Sequence, residues 1–424
     1  MSSATISLLI LAGAAVLFIT EIIPLAVTAM SVAVVLTLTN VLDVQTAFSG
    51  LMDSTVILFA GMYVIGAGLF ETGVAKIIGD QAARFARTEK LAIISVMIIG
   101  AGLSSILPNT GTTAVLLPIV LGISSAAGYR RSKLLMPLVF AAGLGGIITL
   151  VGTPPNMVVA SQLNKAGLGT FGFMEFAIIG IPLTIIGIIY MVTIGYKLTP
   201  DGRADIETEK TEAQNKRTQK EVCRFKQWIS VITLLGTVLV MMFQTKLGIP
   251  LHVAAVIGAL ILVVTGVLTE KQAYKAIDWT TIFLFAGMIP LATALDKTGG
   301  GRVITDLVIS VIGRNASPYV LTSGLFILSC GLTQFMSNTA TTTLLAPIGM
   351  AIAQDLGANP KPVLLAIAVA ASCAFATPVA TPPNTLVFGP GRYRFIDYIR
   401  VGLPLIVICW VVSIIIIPIW WPYF

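Results

Sequence analysis

The chain has 424 residues, of which 56% are hydrophobic and 11% are charged, whereas soluble domains carry roughly 25% charged residues. This balance excludes a soluble globular domain and indicates a membrane protein that crosses the bilayer several times. The net charge of +7 does not indicate a nucleic-acid partner, because the basic residues fall in short loops between apolar runs, where membrane topology places them.

Apolar runs long enough to cross a bilayer as helices of about 20 residues occur along the whole chain. We predict ten crossings, at residues 5–22, 24–42, 54–72, 134–163, 174–197, 228–247, 251–268, 280–295, 363–388 and 399–420. None of them carries Asp, Glu, Lys, Arg or His near its middle, where such residues mark proton relays. The sequence also lacks a Walker loop and so offers no ATP-driven motor.

Four sequence blocks recur in the same order, about 228 residues apart, and indicate a duplicated chain. The pairs are IIPLAVTAM and GIPLHVAAV, FAGM twice, LPNTGTTAVLLPI and MSNTATTTLLAPI, and GTPPN and ATPPN. They divide the chain into halves at 1–197 and 228–424, joined by a charged cytoplasmic linker at 198–227.

Each half contains five crossings and one segment with two shorter apolar arms, 91–127 in the first half and 319–354 in the second. Arms of about 12 to 16 residues, interrupted by Pro, Asn and Gly, are too short to span about 30 Å of hydrocarbon. We therefore predict a re-entrant helical hairpin in each half. Because five is an odd number, the second half is predicted to insert upside down, which is the inverted-repeat plan of many secondary transporters.

The sequence TPPN interrupts the crossings 134–163 and 363–388. Two adjacent prolines lack N–H donors and push the preceding residue away from helical angles, so each crossing is predicted to break there. The carbonyls of Gly152 and Ala380 then lose their helical partners. A half-helix restarting at the second proline is expected to point free N–H groups at an anion, with Thr153 and Thr381 as hydroxyl donors.

The hairpin tips carry hydroxyl and amide side chains in both halves. The polar residues at and just before the tips are Ser104, Asn109 and Thr110 in the first half and Thr333, Ser337, Asn338 and Thr339 in the second. Such oxygens, together with the freed carbonyls, predict a site for a small hard cation such as Na⁺. Helix packing is the alternative for any single stretch, but the recurrence in matched pairs favours a binding site.

The distribution of Lys and Arg predicts the topology. With the linker in the cytoplasm, 20 of the 26 basic residues lie in inside loops and 6 lie outside. In a cell (inner) membrane both termini are then predicted outside. The first hairpin would enter from the cytoplasm and the second from the exterior.

These motifs resemble the divalent-anion:sodium symporter family, whose members transport dicarboxylates, citrate or sulfate. The resemblance rests on TEIIPLAVTAM at 20–30, both hairpins, both TPPN breaks and FIDYIRVGLPL at 395–405. It implies an all-α membrane protein with two inverted five-helix repeats, which forms a homodimer. It also implies an elevator mechanism, with a scaffold of spans 5–42 and 228–268, spans 174–197 and 399–420 at its border, and horizontal arms at 74–88 and 302–314.

The resemblance also implies roles for individual residues. One sodium site would use Ser104, Asn109 and the Gly152 carbonyl. A second sodium site would use Thr333, Ser337, Asn338 and the Ala380 carbonyl. The substrate would be held by Asn109, Thr110, Thr153, Asn338, Thr339, Thr381 and Pro382. Pro108 departs from the family's Ser-Asn-Thr motif and offers no hydroxyl, so the first sodium site is expected to be weakened.

We therefore predict a secondary active transporter that couples a small divalent anion, foremost a dicarboxylate, to inward Na⁺ flow by alternating access. The expected partners are this anion, the lipid bilayer and a second copy of the chain. An enzyme is not predicted, because no nucleophile, base or metal constellation is present in the sequence. The alternatives are a Na⁺-independent dicarboxylate exchanger, a transporter of sulfate or another inorganic oxyanion, and, from another class, an anion channel lined by the hairpins.

Overall fold

The structure, a computed structural model, describes residues 2–20, 22–74, 77, 88–201, 224–300, 303 and 317–424. Within these ranges the chain forms α-helices and one 3₁₀ turn, without any strand. The predicted all-α fold is therefore confirmed. The predicted arms at 74–88 and 302–314, and the linker from 202 to 223, lie almost wholly outside the described residues.

The helices of the two halves follow each other in the same order. The first half contains α1 (Ser3–Thr20), α2 (Leu25–Leu38), α3 (Val44–Phe48), α4 (Ser54–Glu71), α5 (Glu89–Ser104), α6 (Asn109–Ala127), α7 (Arg131–Gly146), α8 (Pro154–Lys165), α9 (Ala177–Val192) and α10 (Ile194–Leu198). The second half contains α11 (Arg224–Met242), α12 (Gln244–Leu247), α13 (Leu251–Val264), α14 (Glu270–Ala276), α15 (Trp279–Thr298), α16 (Pro318–Thr333), α17 (Asn338–Asp355), α18 (Pro360–Ser372), α19 (Pro382–Phe388) and α20 (Phe395–Trp420).

In the hairpins α5–α6 and α16–α17, the second arms are longer than the sequence predicted. The arms contain 16, 19, 16 and 18 residues, or roughly 24–29 Å at about 1.5 Å per residue. The predicted lengths were right for the first arms and too short for the second, because a proline inside each second arm, Pro118 or Pro347, is accommodated within the helix rather than ending it. The two arms of each hairpin pack together across a short turn, and their re-entrant insertion stays a prediction.

Only some of the ten predicted crossings are single long helices. In the described chain, four segments are long and apolar enough to cross a membrane: Val44–Glu71, Asn109–Ala127, Arg224–Met242 and Phe395–Trp420. A fifth candidate combines α14 with α15, bent by 57°. Other apolar helices have 10 to 17 residues, so several predicted crossings consist of shorter helices. The broken crossings illustrate this, since α7 with α8 and α18 with α19 each form one predicted span.

Equivalent helices of the two halves make equivalent contacts with the opposite half. Helix α2 of the first half packs along α15 of the second, and its counterpart α13 packs along α4. In the same way α17 packs against α8, while α6 packs against α19. A reciprocal exchange of this kind is what a two-fold axis between the halves produces. The duplicated sequence therefore folds as two copies with a two-fold relation, as an inverted repeat requires.

The helices form two groups. The framework bundle contains α1–α4 and α11, α13, α14 and α15, and the hairpin bundle contains α5–α9 and α16–α20. The predicted scaffold spans 5–42 and 228–268 lie in the framework bundle together with α4 and α15. Helices α9 and α20, which were expected at the scaffold border, pack against each other and against the hairpin arms. The bundles meet where α15 packs on α17 and α4 packs on α8.

Polar contacts between distant residues agree with the predicted topology. Lys165 Nζ lies 2.9 Å from Asp53 Oδ2, and the topology places both residues outside. Gln272 Nε2 donates to Glu71 Oε2 at 3.1 Å, and both lie on the predicted cytoplasmic side. The first contact joins the two bundles, and the second joins α4 to α14 within the framework bundle.

The start of the linker is held by a buried lysine. Lys133 Nζ donates to the carbonyls of Tyr196 and Thr199, at 2.6 and 2.5 Å, and lies 3.2 Å from Asp201 Oδ1. The hydrogen bond from Lys133 lowers the pKa of the Asp201 carboxyl. The chain that leaves the first half is thereby fixed to the N-terminal end of α7.

The crossing of α15 and α2 needs a glycine. A Cβ on Gly287 would overlap the backbone of Ala29, whereas a Cβ on Gly236 of α11 would meet no atom within 4 Å. We expect Gly287→Ala to lower the free energy of unfolding by about 1–3 kcal/mol through overpacking. Thermal unfolding of the purified protein in detergent measures this, with Gly236→Ala as the matched control. Equal unfolding temperatures of the two variants would contradict the close crossing.

Candidate functional site

The tips of both hairpins meet at one cavity of about 570 Å³. Its lining residues are Thr110, Phe335, Met336, Ser337, Val379, Ala380, Pro382, Thr385 and Leu386. The structure thus brings together four residues that the sequence analysis selected, namely Thr110, Ser337, Ala380 and Pro382. None of the lining residues is charged, and the polar side chains among them are three hydroxyls.

A buried hydroxyl is paired with an amide oxygen beside each tip. Ser104 Oγ donates to Asn109 Oδ1 at 2.7 Å, and Thr333 Oγ1 donates to Asn338 Oδ1 at 2.8 Å. Thr333 Oγ1 also lies 2.7 Å from the Ala371 carbonyl oxygen. Each pair thus brings a hydroxyl oxygen within 2.8 Å of an amide oxygen. The predicted partners therefore lie together in both halves.

The backbone of the first broken helix lies close to the first pair. A Cβ on Gly146 would lie 2.8 Å from Asn109 Oδ1. A Cβ on Gly152 would lie 2.5 Å from the Gly146 carbonyl oxygen and 2.9 Å from that of Ser105. The unwound segment and the hairpin tip are thus packed too closely for side chains. A neutral set of hydroxyl, amide and carbonyl oxygens fits a hard cation such as Na⁺.

Both TPPN crossings are broken, as predicted. Helix α7 ends at Gly146 and α8 begins at Pro154, while α18 ends at Ser372 and α19 begins at Pro382. The half-helices begin at the first proline, so the prediction of a restart at the second proline was wrong. The first helical position suits proline, since its backbone angle is preset and its missing N–H has no partner there.

The prediction of free N–H groups at these half-helices was also wrong. Their first two residues are prolines without an N–H. The third residue donates its N–H to the capping threonine, from Asn156 to Thr153 at 3.2 Å and from Asn384 to Thr381 at 3.1 Å. The half-helices therefore contribute their dipoles to the site but no free donor from these positions.

The helices that follow the hairpin tips differ in their caps. Ser337 Oγ accepts the Ala340 N–H at 3.1 Å and so caps α17. Pro108 occupies the matching position before α6 and provides no side-chain cap. The Gly111 N–H of α6, equivalent to the capped Ala340 N–H, therefore has no side-chain cap.

Two asparagines that the sequence analysis did not select hold the unwound segments. Asn156 Nδ2 donates to the carbonyls of Gly146 and Thr149, at 3.2 and 2.8 Å. Asn384 Nδ2 makes the equivalent bonds to Ala374 and Thr377, at 2.8 and 2.9 Å. The signal was available in the sequence, because both halves share the longer pattern TxVxTPPN at 149–156 and 377–384.

The first threonine of that pattern ties each unwound segment to its hairpin tip. Thr149 Oγ1 donates to the Ser105 carbonyl, and Thr377 Oγ1 donates to the Gln334 carbonyl at 2.7 Å. Thr377 Oγ1 also accepts the Ala380 N–H at 3.1 Å. Each half-site is therefore built from one tip and one segment that are fixed to each other.

The remaining predicted residues lie close to the cavity without lining it. Thr153 and Thr339 are buried, and Thr381 is the half-buried residue that precedes α19. Asn109 and Asn338 are half-buried. Within the described part of the chain, the Asn156 Oδ1 and the Thr341 hydroxyl are buried and lack a hydrogen-bond partner. These two groups can therefore form further hydrogen bonds.

Residues 15–358 match the sequence family described as "Citrate transporter". The chain belongs to the citrate transporter family. This member is 31% identical to an uncharacterized transporter of Haemophilus influenzae, over 96% of this chain and 89% of that protein. It is 26% identical to the sodium-dependent dicarboxylate transporter SdcS of Staphylococcus saprophyticus, over 95% of this chain and 84% of that protein. The resemblance found in the sequence motifs is thereby confirmed.

A solved structure confirms the fold of this citrate transporter family member. MtrF of Neisseria gonorrhoeae, described as one of a class of antimetabolite efflux pumps, superposes with a TM-score of 0.65 at 14% identity, covering 92% of this chain and 84% of that one. The likeness shows a membrane transporter fold. With the family membership, it identifies the chain as a multi-pass membrane transporter and not an enzyme.

The two hydrogen bonds from Asn384 to the unwound segment, which we call the asparagine clamp of the second half, can be tested by truncating the side chain. Asn384→Ala removes both donors and leaves the Ala374 and Thr377 carbonyls without these partners, at a cost of about 1–3 kcal/mol for each buried carbonyl. We expect a lower unfolding temperature and faster hydrogen exchange in residues 373–381. Asn164→Ala, at an exposed position near the end of α8, is the matched control. Unchanged exchange in Asn384→Ala would contradict the clamp.

Proposed function

We propose that this protein carries small dicarboxylates across the inner membrane together with Na⁺, by alternating access. The observation that supports it is the cavity between the two hairpin tips. It is lined by hydroxyls and apolar groups, carries no charged side chain and adjoins two hydroxyl–amide pairs. Its volume of about 570 Å³ suits a small molecule rather than a polymer.

The absence of charge from the cavity lining favours coupling to a cation. A dianion that leaves water for such a site loses its hydration, and hydroxyl dipoles alone replace little of it. Cations bound beside the anion would supply the missing charge. Binding of Na⁺ and anion would then depend on each other, as a symporter requires.

Neutral oxygens would hold the sodium ions. The first site would comprise Ser104, Asn109 and the Gly152 carbonyl. The second would comprise Thr333, Ser337, Asn338 and the Ala380 carbonyl. In both, the hydroxyl would turn its O–H away from the amide oxygen, so that both oxygens could bind Na⁺ and fix the tip before the anion arrives.

The anion would lie between the tips. The hydroxyls of Thr110 and Ser337 and the uncapped N–H groups of α6 are its nearest donors. The amides of Asn109 and Asn338 and the hydroxyls of Thr153, Thr339 and Thr381 would complete the site with Pro382. The name of SdcS supports a dicarboxylate as the substrate.

We also propose that the hairpin bundle moves against the framework bundle as an elevator, within a homodimer whose termini lie outside. One polar link between the bundles, Asp53 with Lys165 at 2.9 Å, is solvent-accessible on the lysine side and breakable. The movement would carry both hairpin tips together, since each is fixed to its unwound segment.

Pro108 supports one alternative, a Na⁺-independent exchanger. The proline removes a hydroxyl that the second half retains as Ser337, so the first half offers one oxygen fewer to a cation. An anion held by the uncapped N–H groups of α6 would then depend less on Na⁺.

Uptake into proteoliposomes tests the main proposal. Succinate uptake is expected to rise steeply with external Na⁺ and to fall roughly tenfold or more in Asn338→Ala, which removes the amide oxygen proposed for Na⁺ and the N–H donors proposed for the anion. The exposed Asn164→Ala is the control and should transport like the wild type. Uptake that is independent of Na⁺ and driven by internal succinate would establish the exchanger instead.

Competition by sulfate, citrate and arsenite in the same assay separates the dicarboxylate from the inorganic oxyanion alternative. Currents far above roughly 10³ ions per second per protein would indicate a channel rather than a carrier.

The missing hydroxyl at Pro108 can be restored. Pro108→Ser is expected to cap α6 at the Gly111 N–H, as Ser337 caps α17 at Ala340, and to stabilise the tip by about 1 kcal/mol. It should also lower the Na⁺ concentration for half-maximal uptake. Ser337→Ala, which removes the matching hydroxyl, should raise that concentration. The same Na⁺ dependence in both variants would exclude this hydroxyl position as a sodium ligand.

A further inference from the structure

A single glutamine at the second hairpin tip holds the unwound segment between α18 and α19. Gln334 Nε2 donates to the Cys373 carbonyl at 3.1 Å and to the Cys330 carbonyl at 2.8 Å. Its Oε1 accepts the Ala376 N–H at 2.9 Å. The backbone carbonyl of the same residue accepts the Thr377 hydroxyl. One residue thus binds the segment through three separate atoms.

In the first half, the equivalent unwound segment is held at this point by a backbone hydrogen bond and not by a side chain. The position equivalent to Gln334 is Ser105, whose hydroxyl bonds to Gly102 of its own helix. The groups equivalent to the Cys373 carbonyl and the Ala376 N–H belong to Gly145 and Ile148, and they bond directly to each other at 3.0 Å. In the second half the glutamine amide is inserted between the two equivalent groups and satisfies both.

The second half, where the glutamine amide is inserted, has a longer unwound segment than the first half. Helix α18 ends at Ser372, so residues 373–381 are unwound, whereas only residues 147–153 are unwound in the first half. The longer segment exposes its valine to the cavity: Val379 is 65% exposed, and the matching Val151 is 6% exposed. Ala380, which the proposed second sodium site uses, is the next residue of this opened stretch and also lines the cavity.

The glutamine is buried and its side-chain polar atoms are all bonded. Loss of the amide would leave the buried Ala376 N–H without its partner, and the Cys373 carbonyl would keep only its bond from the Phe375 N–H at 3.0 Å among backbone donors. The simplest repair is the direct turn seen in the first half, which would rewind the start of the segment. This would move the stretch that carries Ala380, whose carbonyl the proposed second sodium site uses.

We propose that Gln334 is a positioning residue that sets the second sodium site by holding the unwound segment open. It touches neither ion nor anion. The inference rests on the proposed function, because it assigns to this glutamine the Na⁺ affinity of the second half-site. Its loss should therefore change the Na⁺ dependence of transport more than the maximal rate.

The test uses the full-length protein in proteoliposomes. Gln334→Met keeps the length of the side chain and removes both hydrogen-bonding groups. We expect the Na⁺ concentration for half-maximal succinate uptake to rise roughly tenfold, with maximal uptake at saturating Na⁺ within about twofold of the wild type. Gln354→Met, at an exposed position near the end of α17, is the matched control and should leave both quantities unchanged.

A second measurement does not depend on transport. The rise in unfolding temperature caused by NaCl, relative to choline chloride, reports Na⁺ binding in detergent, and it should need more NaCl in Gln334→Met. If Gln334→Met does not fold, Gln334→Ser replaces it, because serine is the residue at the equivalent position of the first half, Ser105. Gln334→Ser is then expected to shift the Na⁺ dependence in the same direction.

The outcomes separate the two proposals. Sodium-dependent wild-type uptake with an unchanged Na⁺ dependence in the glutamine variants overturns the role of Gln334 and leaves the symporter intact. A fall in maximal uptake without any shift in Na⁺ dependence also overturns it. Sodium-independent uptake by the wild type overturns both the symporter and this inference.

Discussion

The site depends on the need of every backbone N–H and C=O group inside a membrane for a partner within the protein, since no water is there to provide one. Each broken helix leaves several such groups without helical bonds. Side chains of the neighbouring elements satisfy them: Asn156 and Asn384 bind two carbonyls each, and Thr149 and Thr377 join the segments to the hairpin tips. The interruption of the helix is therefore stable.

The same constraint leaves a particular kind of surface for a ligand. The polar groups at the tips are neutral: the hydrogen-bonded Ser104–Asn109 and Thr333–Asn338 pairs, and the uncapped first turn of α6. In the proposed function, a cavity without a charged side chain in its lining would bind an anion well only when cations share the space. The proposed coupling between cation and anion rests on this absence of charge from the lining.

Duplication supplied two half-sites, and later differences made them unequal. The halves keep a two-fold exchange of helix contacts and equivalent asparagine clamps. They differ at the tip, where Pro108 is equivalent to Ser337, and one turn earlier, where Ser105 is equivalent to Gln334. The second half is therefore capped, held by an inserted amide and open to the cavity. Its partner is uncapped and closed by a backbone turn.

The sequence by itself determined the membrane class, the duplication, the hairpins and the polar residues at their tips, because apolar run length and repeated motifs depend on local composition. It misjudged details that depend on neighbours: the arms tolerate Pro118 and Pro347, and the half-helices begin at Pro154 and Pro382. Only the tertiary structure decided which groups pair across the break. In the first half the Gly145 carbonyl accepts the Ile148 N–H, whereas in the second half the Gln334 amide lies between the equivalent groups of Cys373 and Ala376. This difference depends on how each hairpin tip packs on a segment that is distant in the chain. Local sequence patterns do not report such packing.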